Sequence, residues 1–242
     1  MIAGFIALFS VASNAQVNFY RTNGAEIIFS GADVTFNGAD VNTNMRFTAF
    51  FHGQQMFNMD LTRFLGLYTG FGIRNIGLIT DDLYQDMGFL GVDDQHPDWN
   101  KQAKIKRRSY ALSFPAAIKL GNMKKQVFAY AGASYEWMFH YKQKLFIDGQ
   151  KFKYSEWASN RTNAWIPSLF AGLQFPGGMN LKFKMYLDDF LNSGFTGVDF
   201  GEDVDYSAFG ASNIYYISFS TIINKNSVKN MMGVSGDQLT DL

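Results

Sequence analysis

Three histidines (His52, His96 and His140), 21 Asp+Glu and 21 Lys+Arg make up the chain's acid–base groups, and it has no cysteine. Thiolate catalysis, thiolate metal sites and disulfides are therefore excluded. Ser134, Glu136 and His140 share one side of an alternating segment and come nearest to a nucleophile–acid–base set. Six residues of extended chain hold Ser134 and His140 about 20 Å apart, so they cannot work on one bond. A second grouping is electrostatic. His52, Arg74, Glu136 and Asp188 fall at similar heights when each is counted along its own segment. Asp60, Lys119, Lys182 and Lys184 form a net-basic set nearer one end, and Arg107 lies on the same polar side. In a narrow enclosure such groups must pair, Arg74 with Glu136 or Asp188. They would act as a polar plug, or line a narrow ion path. Asp203-Val204-Asp205, in an acidic link, is far short of a calcium loop. Gly70-Phe71-Gly72 is followed by no helix, so it is no nucleotide fingerprint. No metal or cofactor is expected.

The elements that position these groups are strands. Met179 to Phe190 sets Leu181, Phe183, Met185 and Leu187 against Lys182, Lys184, Tyr186 and Asp188, an alternation that no helix gives. The same period of two runs through Arg46–Leu61, Leu65–Ile79, Ile105–Gly121, Gln126–Lys142, Asn163–Phe175 and Asn213–Ile223. It is least regular in Ala25–Phe36, where Gly31 suggests a bulge. Short turns near residues 62–64, 122–125 and 176–178 alternate with long links at 37–44, 80–104, 143–162 and 192–212. Within the third link, Asp148-Gly149 between two alternating runs predicts a protruding hairpin.

An eight-stranded barrel is too narrow to swallow the Leu, Phe, Met, Trp and Tyr of the apolar files, whereas Gly70, Gly72, Ser109, Ser113 and Gly132 suit a crowded interior. The apolar side must therefore face outward, into lipid. The fold class expected is an all-β, eight-stranded antiparallel up-and-down transmembrane barrel with short periplasmic turns and long extracellular loops. Tyr110, Trp137, Phe139, Tyr141, Trp165 and Tyr215 then fall near the outer rim, as an aromatic girdle.

Composition agrees with such a chain. Of 242 residues, 47% are hydrophobic, 17% aromatic and only 17% charged, and the formal net charge is zero, which removes any electrostatic case for nucleic acid. The apolar stretch Ile2–Ala12 before Ser13-Asn14-Ala15 reads as a signal peptide, 1–15. The remaining boundaries expected are a periplasmic lead-in at 16–24, the barrel at 25–224 and a periplasmic tail at 225–242.

The signal segment, the eight alternating segments, and Gly66-Leu67-Tyr68-Thr69-Gly70-Phe71-Gly72-Ile73-Arg74-Asn75-Ile76-Gly77 resemble small outer-membrane β-barrel proteins of the Bacteroidetes type. Unlike many such barrels, the chain continues past its last strand, from Asn224 to Leu242. The resemblance implies outer-membrane residence, with outer-membrane lipid or lipopolysaccharide and envelope proteins as partners. The role expected is structural or partner-binding through the outer loops. Alternatives are a small channel, a lipid-modifying enzyme and a secreted lipocalin-like binder.

Overall fold

A computed structural model describes residues 17–49, 52–90, 92 and 94–223. Its strands are β1 (Asn18–Phe36), β2 (Ala39–Asp40), β3 (Arg46–Thr48), β4 (Gly53–Asp60), β5 (Leu65–Leu83), β6 (Gln102–Asn122) and β7 (Val127–Ile147), followed by β8 (Gln150–Trp157), β9 (Trp165–Gln174), β10 (Met179–Tyr186), β11 (Thr196–Asp199), β12 (Glu202–Asp205) and β13 (Phe209–Ile223). Apart from the small hairpin β11–β12, they form one 11-stranded sheet, and β13 pairs with β1 to close it. β3 and β4 are two lengths of one stave, β8 and β9 of another, and β2 is a short hairpin arm. The ring therefore has eight antiparallel staves, with its ladder continuous from Asn23↔Ile223 to Asp33↔Asn213 at the closure. Closure leaves no sheet edge around the ring except at β3 and β8, each of which is paired on one side only.

Short turns at 61–64, 123–126 and 175–178 gather at one end, here called the lower end. The upper end carries the longer excursions and the two-residue turn Asp148-Gly149, both residues at positive φ (49° and 72°), as a tight hairpin turn requires. The strands reach higher than the pattern predicts, because β5 continues to Leu83 and β6 starts at Gln102. β1 also starts earlier, since residues 18–24, expected as a lead-in, pair with 54–60 of β4. The polar run Arg21-Thr22-Asn23-Gly24 hid that strand. Gly31 causes no bulge. It sits in unbroken register opposite Tyr215, whose ring would lie 2.9 Å from any Cβ placed there. The proposed signal segment and tail lie outside the described residues.

The interior has two regions. Low and mid-height inward positions are polar, including Thr22, Asn58, Lys119, Ser113 and Lys184. The upper interior is an apolar core, a correction to the expectation of a lumen polar throughout. There Ile76, Leu78, Ile105, Leu145 and Ile147 of the wall pack with Tyr84, Met87, Phe89, Phe190, Val204 and Tyr206 from the loops that roof the barrel.

Candidate functional site

At mid-height all eight staves send a side chain into one network. Glu136 of β7 pairs with Lys184 of β10 and lies 3.5 Å from Arg74 Nε of β5. It also accepts hydrogen bonds from Ser113 Oγ of β6 (2.9 Å) and Tyr186 Oη of β10 (2.7 Å). Glu26 of β1 pairs with both Arg74 and Lys182. Arg74 donates further to Tyr216 Oη of β13 (3.0 Å) and Gln54 Oε1 of β4 (3.2 Å). Lys184 donates to Ser134 Oγ at 2.6 Å, and Ser134 meets Ser168 of β9 at 2.8 Å. Three cations thus face two carboxylates. Glu136 is 0% exposed and Lys184 1%, so water does not reach the centre. Desolvated charges paired in this way act as a cross-brace between the staves.

Below lies a layer of rings, Tyr68, Tyr130 and Phe170, with centroids 5.8–6.3 Å apart. Tyr130 reaches Asn180 Oδ1 at 2.6 Å by crossing over Gly172, where an added Cβ would stand 2.3 Å from its hydroxyl. Lower still, Lys119 donates to Asp60 (2.6 Å), Asn58 (3.0 Å) and Tyr20 (3.1 Å). Side chains of the described residues thus meet across the interior at each of these three levels.

Of the predicted polar residues, Arg74, Glu136, Lys182 and Lys184 meet in the mid-height network. His52 is buried beside it but has another task. β3 pairs with β1 and makes no ladder with β5, and His52 Nδ1 accepts from the backbone N–H of Asn75 there (3.4 Å). Arg46 completes the repair, donating to the Asn75 carbonyl at 2.9 Å and its side-chain oxygen at 2.5 Å. Arg107 lies above the network, donating to Thr80 Oγ1 (3.2 Å) and the Met87 carbonyl (3.1 Å) under the Tyr206 and Phe209 rings. Asp188 is excluded from the interior: β10 ends at Tyr186, and Asp188 is exposed beyond it. Its anticipated place opposite Arg74 belongs to Glu26. Glu26 was overlooked because its segment looked irregular, although Thr22, Glu26, Ile28 and Ser30 keep one inward file.

Outside, Trp137, Trp165 and Tyr215 are exposed on the wall, with Tyr110 and Phe139 partly so. Tyr135 and Phe114 extend the patch by stacking on Trp165. Tyr141 does not belong to it. The β6–β7 register slips at Tyr110/Ala111, leaving Phe139 as an extra residue in β7. Above this bulge the two faces of β7 exchange. Tyr141 turns inward, 1% exposed and donating to Gln143, while His140 turns outward onto Trp157 (4.4 Å between centroids). Ser134 and Glu136 are inside, so His140 stands on the other side of the wall from them.

The roof has its own ionic tie. Arg161 bonds Asp199 Oδ1 (2.7 Å), Glu156 (2.7 Å) and the Val198 carbonyl (2.8 Å), pinning β11 to β8. Burial works against its charge, but Asp199 outweighs burial and raises the guanidinium pKa. Tyr206 donates to Asp199 Oδ2 at 2.8 Å. Burial pushes its phenol up to about 12, with the opposed fields of Arg107 and Asp199 secondary.

No family model and no curated protein matches this chain. Among solved structures it is similar to Ail, the attachment invasion locus protein of Yersinia pestis, crystallised with the heparin analogue sucrose octasulfate (11% identity, 84% of this chain and 99% of that one, TM-score 0.33). It is similar also to the outer membrane protein OprG of Pseudomonas aeruginosa (12% identity, 87% of this chain and 97% of that one, TM-score 0.29). These likenesses are distant, and the barrel is established here by its closed ladder.

Proposed function

We propose that the chain is an integral outer-membrane barrel with a sealed interior, serving as a rigid mount for its roofed outer end, which engages partners in the envelope. One observation carries this reading: the polarity of the wall inverts along single strands. On β6 the outward file is Leu120, Ile118 and Phe114, all exposed, and then Arg108, Lys106 and Lys104. Its inward file is Lys119 and Ser113 below, then Ser109 and the buried Arg107, and Ile105 and Ala103 at the top. The top of the strand follows the rule of a soluble protein, charged outside and apolar inside, and the lower part reverses it. Only a change of surroundings from hydrocarbon to water along the strand satisfies both parts. The apolar file from Leu120 to Tyr110 covers about 33 Å of strand, or about 25 Å of height at a tilt of about 40°, the height of a membrane band. The export signal read from residues 1–15 and the Bacteroidetes-type sequence pattern support outer-membrane residence.

Single-tryptophan proteins in vesicles of brominated phosphatidylcholine test this reading. Tryptophan at Phe183 or Phe71, both outward and exposed, should be strongly quenched, and tryptophan at the inward Phe170 should not. Equal quenching at all three sites would defeat the proposal.

A further inference from the structure

Directly above the apolar band, the wall formed by β6, β7 and β8 carries cations in rows. Lys106, Lys144 and Lys153 stand opposite one another across the three strands, and Arg108 stands opposite Lys142 one row lower. Lys151 lies one row higher, across from Phe146. None of these six has a carboxylate within ion-pair distance among the described residues. By contrast, Lys104 beside them holds Asp81 at 2.7 Å. Like charges placed directly opposite on adjacent strands repel, and neighbouring files lie under 5 Å apart. The sequence therefore concentrates positive charge on one face without supplying counter-charge.

Beside this lattice the wall is grooved. Where β3 fails to pair with β5, a cleft of about 550 Å³ opens, lined by Met45, Phe47 and Ile79 as well as Lys106, Arg108 and Lys144. Met45 and Phe47 are 74% and 60% exposed. An apolar rim thus meets a cationic wall on the outside of the barrel. Arg108 stands about 46 Å of strand above Asn122, the lower end of β6, or about 35 Å in height at barrel tilt. That is headgroup level just past the hydrocarbon.

We infer that this cleft and lattice seat a phosphorylated glycolipid of the outer leaflet, its phosphates on Lys106, Arg108 and Lys144 and an acyl chain along Met45 and Phe47. The inference rests on the membrane reading above. A soluble polyanion would satisfy the charges alone. Continuity with the apolar wall favours a ligand that is anionic at one end and greasy at the other.

The test uses the full chain in phosphatidylcholine vesicles containing diphosphorylated lipid A, with the retained lipid A counted by native mass spectrometry. Wild type should retain lipid A, and retention should weaken with salt. K106Q/R108Q/K144Q should lose at least tenfold in apparent affinity, while K124Q/K125Q, in the lower turn, should bind like wild type. Enzymatically dephosphorylated lipid A should bind wild type as poorly as intact lipid A binds the triple variant. Undiminished retention by the triple variant, or equal retention of the dephosphorylated lipid, would overturn the inference. So would tighter binding of a sulfated polysaccharide than of lipid A. Bromolipid quenching on the same samples separates the two readings: a quenched protein that ignores lipid A defeats this inference alone.

Discussion

Replacing Glu136 by Gln probes the mid-height network with almost no change of shape. The amide oxygen, kept at the Oε1 position, still accepts from Ser113 (2.9 Å in the native protein), but the NH2 at the Oε2 position cannot accept from Tyr186 (2.7 Å). What is lost is that bond and the charge facing Lys184 and Arg74. Arg74 keeps Glu26, but Lys184 is left facing neutral acceptors, the amide oxygen and the Ser134 hydroxyl. Removing one partner of a buried pair costs about 3–5 kcal/mol. With a denaturant slope of about 2 kcal/mol/M, that is a fall of about 2 M in the urea midpoint. Tryptophan fluorescence of protein folded into short-chain lipid vesicles reads the midpoint. E136Q/K184M removes both charges and should recover most of the loss, because an apolar replacement for a buried pair is close to neutral. The deficit of E136Q should persist in 1 M salt, since the pair is out of reach of screening ions. A single variant as stable as wild type, or a double variant no better than the single, would refute the cross-brace.

Three further outcomes follow from the geometry. G172V must force Tyr130 or the Leu181 carbonyl aside, 2.3 and 2.6 Å from the added Cβ, and should lower stability by about 1–3 kcal/mol or more in the same urea assay. R161A should leave the wall intact but free β11–β12, seen as faster proteolysis within 192–208 and an unchanged urea midpoint of the barrel. In alkali, the Tyr206 phenol is held neutral up to about 12 against an unfolded value of 10.0. Its contribution is whole below pH 10 and is lost as pH rises toward 12, roughly 3 kcal/mol in all. Loosening of the roof, followed by proteolysis, should track that window, and Y206F should reduce the dependence without removing it, because burial also holds Tyr84 of the same roof up to about 12.

The barrel was legible because period-two alternation is local. A strand with one face in lipid and one inside must show it residue by residue, as Leu181 to Tyr186 does. Turn chemistry at Asp148-Gly149 was legible for the same reason. What failed depended on non-local information. Parity read forward along β7 put Tyr141 outside, because nothing in Phe139-His140-Tyr141 announces that the ladder to β6 slips there. Asp188 was set inside by continuing β10 two residues past its true end. The apolar upper core was missed because a lipid-facing rule was applied to whole strands that outrun the membrane. Glu26 obeys the alternation, but its neighbours are too mixed in character for the file to stand out.

The extra residue at Phe139 works as a phase slip between two lengths of β7 built for different solvents. Deleting it would restore a uniform pleat and rotate the whole upper arm by half a period. Lys142 and Lys144 would then be driven into the greasy cap, and Leu145 and Ile147 would be put out in water. Sequence drift in the arm and in the membrane length is thereby insulated, each free to change so long as that single residue is kept between them.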